Sequence, residues 1–200
     1  MFAPLCLIAA IACALVDWVA VARKQRPLEH LAKPAALGFL LLFAALGSEA
    51  SWYLIAALTL SLLGDVYLML QDELFPAGLA MFLLAHVAYI ADFDATPLSR
   101  GIWFAIVLGA SIPLALRIIR GVQKPPLRIA VGVYMSVISL MAASAIASGD
   151  MLATAGALIF FASDALIAVD RFVAPFASAR LAVVVTYHVG QLLFVLALRS

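Results

Sequence analysis

Charge is what this sequence has least of. Lysine and arginine number 12 and aspartate and glutamate 11 in 200 residues, so 12% of the chain is charged, about half the share usual in a soluble domain. With 67% of residues hydrophobic, the composition is that of an integral membrane protein with no soluble domain. A formal net charge of +1 and the lack of a basic patch interleaved with aromatics argue against nucleic-acid binding. Cysteine is scarce as well: Cys6 and Cys13 share one helical face roughly 10 Å apart along the axis, too far for a disulfide, and read as packing residues. Compact catalytic signatures are missing, with neither HExxH nor a GxSxG elbow in the chain. No basic n-region precedes the first apolar run, and Asp17 and Trp18 fall where a signal peptide would carry its cleavage site, so this run is expected to be retained as a helix.

What the sequence does have is eight apolar runs, each close to the length of about 20 residues that crosses a bilayer core. Their approximate spans are 2–21, 31–46, 52–70, 75–93, 102–119, 127–147, 151–169 and 178–198. These predict an all-α polytopic membrane protein, a single transmembrane domain over residues 1–200 built as an eight-helix bundle. Pro34, near the start of the short second span, suits a first-turn proline. Pro113 lies inside the fifth span and is expected to kink it unless neighbours satisfy the freed carbonyl.

Lysine and arginine in short loops mark the cytoplasmic side. One side holds Arg23, Lys24, Arg26, Lys33, Arg117, Arg120, Lys124, Arg128, Arg171 and Arg180, and the other only Arg100 and Arg199. Both termini are therefore expected on the non-cytoplasmic side, with a bacterial-type inner (cell) membrane as the location.

Against this apolar background two aspartates stand out, Asp65 in GDVYLML and Asp164 in LIFFASDALIAV. An ionisable residue in a span costs several kcal/mol by insertion scales and faces a bundle interior or wet cavity far more often than lipid. The third and seventh spans run in the same direction, and each aspartate is expected roughly 8 Å inside the cytoplasmic interface by helix rise. A weak internal repeat (small residue, Asp, acidic loop, Phe-containing helix start) suggests two parallel four-helix repeats about an axis along the membrane normal. That arrangement would set Asp65 and Asp164 across a central cavity. Two buried carboxylates sharing a site leave one proton donor and one acceptor at neutral pH, as acid–base hydrolysis requires. The plainer alternative for each is a structural hydrogen-bond partner or an interfacial charge.

Other polar residues sort by spacing. His86 and Tyr89 lie one turn apart on the fourth span, and Tyr187 and Gln191 are paired at i and i+4 on the eighth, aiming polar groups at one cavity. His86 has the alternative of a simple interhelical bridge. His188 points about 100° away from Tyr187 and reads as a helix–helix contact, while His30 reads as interfacial. The three histidines lie on or near different helices, so no metal is assigned, with assembly from separate helices left as an alternative. Ser163, beside Asp164, reads as a small packing residue rather than a nucleophile. Lys33 either snorkels to the interface, the commoner case, or holds a lipid phosphate. Glu49, Asp72, Glu73, Asp92, Asp94, Asp150 and Asp170 fall in connecting segments as solvated charge.

Taken in order along spans two to eight, one set of residues resembles the YhhN-like lysoplasmalogenase family of multispanning membrane proteins. The set is Lys33-Pro34; Gly64-Asp65 with Leu68-Met69; Phe75, Gly78-Leu79, Phe82, His86 and Tyr89; Tyr134; Phe160-Phe161 with Ser163-Asp164; and Tyr187 with Gln191. The resemblance implies hydrolysis of the vinyl ether bond of lysoplasmalogens to a fatty aldehyde and glycerophosphocholine or glycerophosphoethanolamine. It further implies Asp65 and Asp164 as the catalytic pair, one protonated and one ionised, in the two-carboxylate manner of glycosidases. Lys33, His86, Tyr89, Tyr134, Ser163, Tyr187 and Gln191 would bind substrate or support the aspartates, and Phe82, Phe160 and Phe161 would line the chain tunnel. The polar groups near Ser163 favour Asp164 as the base. Water is the expected co-substrate, a lysolipid from the cytoplasmic leaflet the partner, its head group near Lys33, and no cofactor is expected. The rival class is a small proton-coupled transporter of a lipid-like or small polar substrate, and a third is a lipid-binding or scaffold protein without turnover.

Overall fold

The computed structural model describes residues 2–47, 50–70 and 72–199. Glu49 lies outside the described residues, and of Asp72 only the backbone is described. Eight α-helices follow one another: α1 (Ala3–Ala22), α2 (Arg26–Ala45), α3 (Trp52–Leu70), α4 (Phe75–Asp92), α5 (Pro97–Gly121), α6 (Pro125–Ser148), α7 (Met151–Phe172) and α8 (Ala179–Leu198), with one 3-10 turn at Asp72–Leu74. All eight are long and apolar enough to cross a membrane, and no strand occurs among the described residues.

Local sequence accounts for the helix ends. Proline sits in the first turn of α1, α2, α4, α5 and α6, where its missing N–H breaks no intrahelical bond. The Thr96 hydroxyl accepts from the Ser99 N–H at 3.2 Å and the Asp150 carboxylate from the Ala153 N–H at 2.8 Å, capping α5 and α7. Asp150 is thus a cap and not merely a solvated charge. Gly149, at φ 77°, takes the left-handed conformation that ends α6.

Three boundaries differ from the sequence expectation. α2 begins at Arg26, with Pro27 in its first turn, so Pro34 lies in the helix interior. The extra turn is polar, and it is held by burial of Glu29 against Arg180 of α8, a tertiary pairing to which hydropathy is blind. α5 runs from Pro97 to Gly121 and continues through Pro113 as one helix. α7 extends to Phe172, which puts Asp164 roughly 12 Å from the helix end while Asp65 is roughly 8 Å from the end of α3, at about 1.5 Å per residue.

Consecutive helices pair as four hairpins, and α8 also packs on α1, α2 and α3, while α6 packs on α4 and α7. Between α7 and α8 the backbones nearly touch: a Cβ on Gly190 would lie 3.2 Å from the Gly156 carbonyl oxygen. Small residues allow such approaches where lipid offers no hydrophobic drive to associate and packing must supply the attraction. The main core gathers Leu37, Phe82, Tyr89, Phe160, Tyr187 and Phe194. Leu5, Ile8, Trp52, Leu98 and Ile129 are exposed on the outside of the bundle, as a lipid-facing surface requires.

Candidate active site

Both aspartates point inward, and each is held by its own set of donors. Asp65 is fully buried. Its Oδ1 meets the Lys33 ammonium at 2.8 Å and its Oδ2 accepts from the Tyr187 hydroxyl at 2.7 Å. The residue before it, Gly64, makes room for α4: a Cβ there would stand 2.7 Å from the Phe82 ring. Lys33 is therefore neither snorkelling nor free to hold a lipid phosphate. The early start of α2 carries it into the bundle, where its side chain is 12% exposed and its ammonium lies 5.2 Å from the Tyr187 ring centroid.

Asp164 sits in the second set. Its Oδ2 accepts a hydrogen bond from the Tyr134 hydroxyl and lies 3.4 Å from Nε2 of His86. The other ring nitrogen of His86, Nδ1, is bonded to the Phe82 carbonyl one turn back. A carbonyl only accepts, so Nδ1 carries a proton, and a neutral His86 then presents a lone pair from Nε2 toward the Asp164 oxygen. Nε2 has no hydrogen-bond partner and stands 3.4 Å from the Asp164 carboxyl, so the two groups face one another as a candidate acid–base couple.

Aromatic rings join the two halves. Phe160, fully buried, packs against His86 at 5.1 Å and against Tyr187 at 5.5 Å between centroids, and Phe82 packs against Tyr187 at 5.9 Å. Tyr89 donates to Gln191 Oε1 at 2.6 Å, and the Gln191 amide in turn neighbours the Tyr187 hydroxyl. Ser163 is satisfied elsewhere, donating to the Val183 carbonyl at 3.1 Å, a tie between α7 and α8 in keeping with a packing role. His188 accepts from the Trp18 indole at 3.0 Å, an α1–α8 contact, and His30 is exposed.

An apolar cavity opens between α3, α4, α6 and α7, walled by Leu79, Phe82, Tyr134, Met135, Phe161 and Asp164 among others. Among the described residues Asp164 is the one carboxylate that lines it. Asp65 is not among the residues that line this cavity; it is held by Lys33 of α2 and Tyr187 of α8. Of the rings expected to line a tunnel, Phe82 and Phe161 do, whereas Phe160 fills the core between the two sets. Among the described residues no group of three or more His, Cys, Asp or Glu is placed to hold a metal ion.

The sequence reading passed over two residues. Asp17 on α1 is fully buried, and neither of its carboxylate oxygens has a hydrogen-bond partner. It sits in LVDWVAV, the same kind of apolar surround as Asp65, and that surround is the sequence signal that marks it. Glu29, overlooked beside the basic loop, forms the α2–α8 ion pair.

Human lysoplasmalogenase TMEM86B is 33% identical over 188 residues, covering 92% of this chain and 78% of the human protein. The rat lysoplasmalogenase TMEM86B is 31% identical over 185 residues, covering 92% of this chain and 75% of the rat protein. Human lysoplasmalogenase TMEM86A is 30% identical over 171 residues, covering 80% and 68%. No solved structure matches. The YhhN family profile matches residues 28–198, from the first turn of α2 to the end of α8, and the chain belongs to the YhhN family.

Proposed function

We propose that this protein is a lysoplasmalogenase, hydrolysing the vinyl ether bond of a single-chain alkenyl lipid to a fatty aldehyde and a glycerophosphocholine or glycerophosphoethanolamine. The observation that carries the reading is the Asp164 carboxyl at the wall of an apolar cavity, 3.4 Å from Nε2 of His86. A vinyl ether needs a proton at its β-carbon and nothing else to become reactive, and a long chain needs an apolar groove. Relatives named lysoplasmalogenase over most of the chain support the same substrate class.

The reaction then runs in three steps. The Asp164–His86 pair gives its proton to the β-carbon, the π electrons form the C–H bond, and an oxocarbenium ion results, which the now anionic pair stabilises. Water adds to the α-carbon and its proton passes to Asp65, which the Lys33 ammonium and the Tyr187 hydroxyl hold as a carboxylate. The hemiacetal collapses: the C–O bond to glycerol breaks, the leaving oxygen takes the proton from Asp65, and the hemiacetal hydroxyl returns a proton to Asp164 and His86. Both sites are restored. This assigns Asp164 the acid role and Asp65 the basic one, the reverse of what Ser163 suggested, because Ser163 is spent on Val183 while Asp65 has the cation. Phe82, which lines the cavity and packs on Tyr187, is the ring past which the water reaches Asp65.

We place the cationic loops on the cytoplasmic side of a cell membrane, with both termini opposite, on the lysine and arginine distribution. The two four-helix halves as parallel repeats are supported by matching hairpins and by the α2–α8 and α4–α6 contacts. The test of function is incubation of detergent-purified protein with an alkenyl lysolipid and with its saturated alkyl twin. Aldehyde from the alkenyl lipid alone, abolished in both Asp65→Asn and Asp164→Asn, is the expected result. Absence of aldehyde with active-lipid controls, or gradient-driven uptake into liposomes instead, overturns the reading.

A further inference from the structure

Asp17 has no role in the steps above, yet it is the most isolated charge-bearing group in the bundle. It is fully buried on α1, and both carboxylate oxygens are without a hydrogen-bond donor. An ionised carboxylate in that setting leaves a full charge uncompensated, whereas the protonated acid needs much less. α1 packs along α2, the helix of Lys33 and Glu29, and along α8, the helix of Arg180; with Asp65 of α3, these are the charges near enough to act on Asp17, Lys33 foremost. Glu29 and Arg180 satisfy one another. His188 of α8 is engaged by the Trp18 indole. Lys33 is thus the one cation in this group whose partner, Asp65, changes charge during turnover.

We propose that Asp17 is the alternate counter-ion of Lys33, a positioning residue that acts through the lysine and never touches substrate. The inference rests on the lysoplasmalogenase reading, in which Asp65 is protonated between water attack and hemiacetal collapse. In the resting protein Lys33 pairs with Asp65, and Asp17 carries its proton. When Asp65 takes the proton of the attacking water, the ammonium loses its counter-ion and turns on its flexible stem toward Asp17. The Asp17 O–H bond breaks, its proton passes to water at the cytoplasmic end of α1 and α2, and the carboxylate pairs with Lys33. As Asp65 hands its proton to the leaving oxygen, Lys33 returns and Asp17 takes a proton back. Positive charge is never left alone inside the bundle.

Two measurements test this. In the substrate-free protein, infrared spectroscopy reads the carboxylic-acid C=O stretch of Asp17, assigned by its loss in Asp17→Asn. Asp65→Asn imitates the protonated state of Asp65, so it is expected to send Lys33 to Asp17 and abolish the Asp17 acid band; a band unchanged by Asp65→Asn overturns the proposal. In turnover, Asp17→Asn is expected to lower kcat about tenfold to a hundredfold with KM nearly unchanged, since a buried charge is left uncompensated in the rate-determining region. It is also expected to remove the acid limb of the kcat profile, because Asp17 that cannot ionise at low pH slows the wild type in the same way. Asp17→Glu is expected to restore most of kcat with the limb displaced. Equal kcat in wild type and Asp17→Asn, or equal losses in Asn and Glu variants with no movement of the limb, overturns it. If wild type releases no aldehyde, the functional reading fails and the infrared result still decides the Lys33 exchange.

Discussion

Removing the Lys33 ammonium should cost the protein stability out of proportion to one surface-like lysine. Its side chain is 12% exposed and that of Asp65 is 1% exposed, with 2.8 Å between the charged atoms. Breaking such a pair from one side leaves the other charge buried and unpaired, a loss of about 3–5 kcal/mol for a fully buried pair. The slight exposure of Lys33 argues for the lower end, about 3 kcal/mol, or roughly a hundredfold in the folding equilibrium. Asp65→Asn removes the charge from the other side at a smaller cost, because Lys33 then turns to Asp17. The double variant Lys33→Met with Asp65→Asn leaves no orphaned charge at this pair, so its loss should be smaller than that of Lys33→Met alone and well short of the sum of the single losses. The assay is a double-mutant cycle by reversible chemical denaturation in detergent, followed by far-UV circular dichroism. Additive single losses, or a Lys33→Met loss below about 0.5 kcal/mol, would refute the reasoning, because that is what exposed ion pairs give.

Further outcomes follow from other parts of the site. Tyr134→Phe removes the hydroxyl that donates to Asp164, and kcat should fall about tenfold while stability, read by thermal melting, shifts by about 1 kcal/mol. Gly190→Val forces a side chain into the place where a Cβ already meets the Gly156 carbonyl at 3.2 Å, so a loss of about 1–3 kcal/mol in denaturation is expected. Ala168→Trp fills part of the apolar cavity; KM for a long-chain alkenyl lysolipid should rise more than for a short-chain one, measured as the ratio of the two.

The eight helices were legible because bilayer physics writes them plainly: the length of an apolar run is a local quantity, whereas Pro34, expected in a first turn, lies inside α2. The inward aspartates were legible for the same reason, since Asp65 and Asp164 contradict the surroundings in which the chain places them. What escaped were pairings between distant helices. Lys33 reads as an interfacial cation until α2 is seen to start a turn earlier, and that turn depends on Glu29 meeting Arg180. The two sets of partners, Lys33 and Tyr187 around Asp65 and Tyr134 and His86 around Asp164, come from four different helices, which no spacing along one helix encodes. Asp17 carries the same sequence signal as Asp65, but in the first apolar run it coincides with the place where a signal peptide would carry its cleavage site.

The central claim is that Asp164 and His86 deliver a proton to the β-carbon of a vinyl ether. Turnover of an alkenyl lysolipid in deuterium oxide, with immediate trapping and mass analysis of the aldehyde, tests it most directly. The account predicts one deuterium on the carbon next to the carbonyl, a slowed rate in deuterium oxide, and loss of both with Asp164→Asn. Aldehyde without that deuterium, or undiminished release by the Asp164→Asn protein, would contradict it.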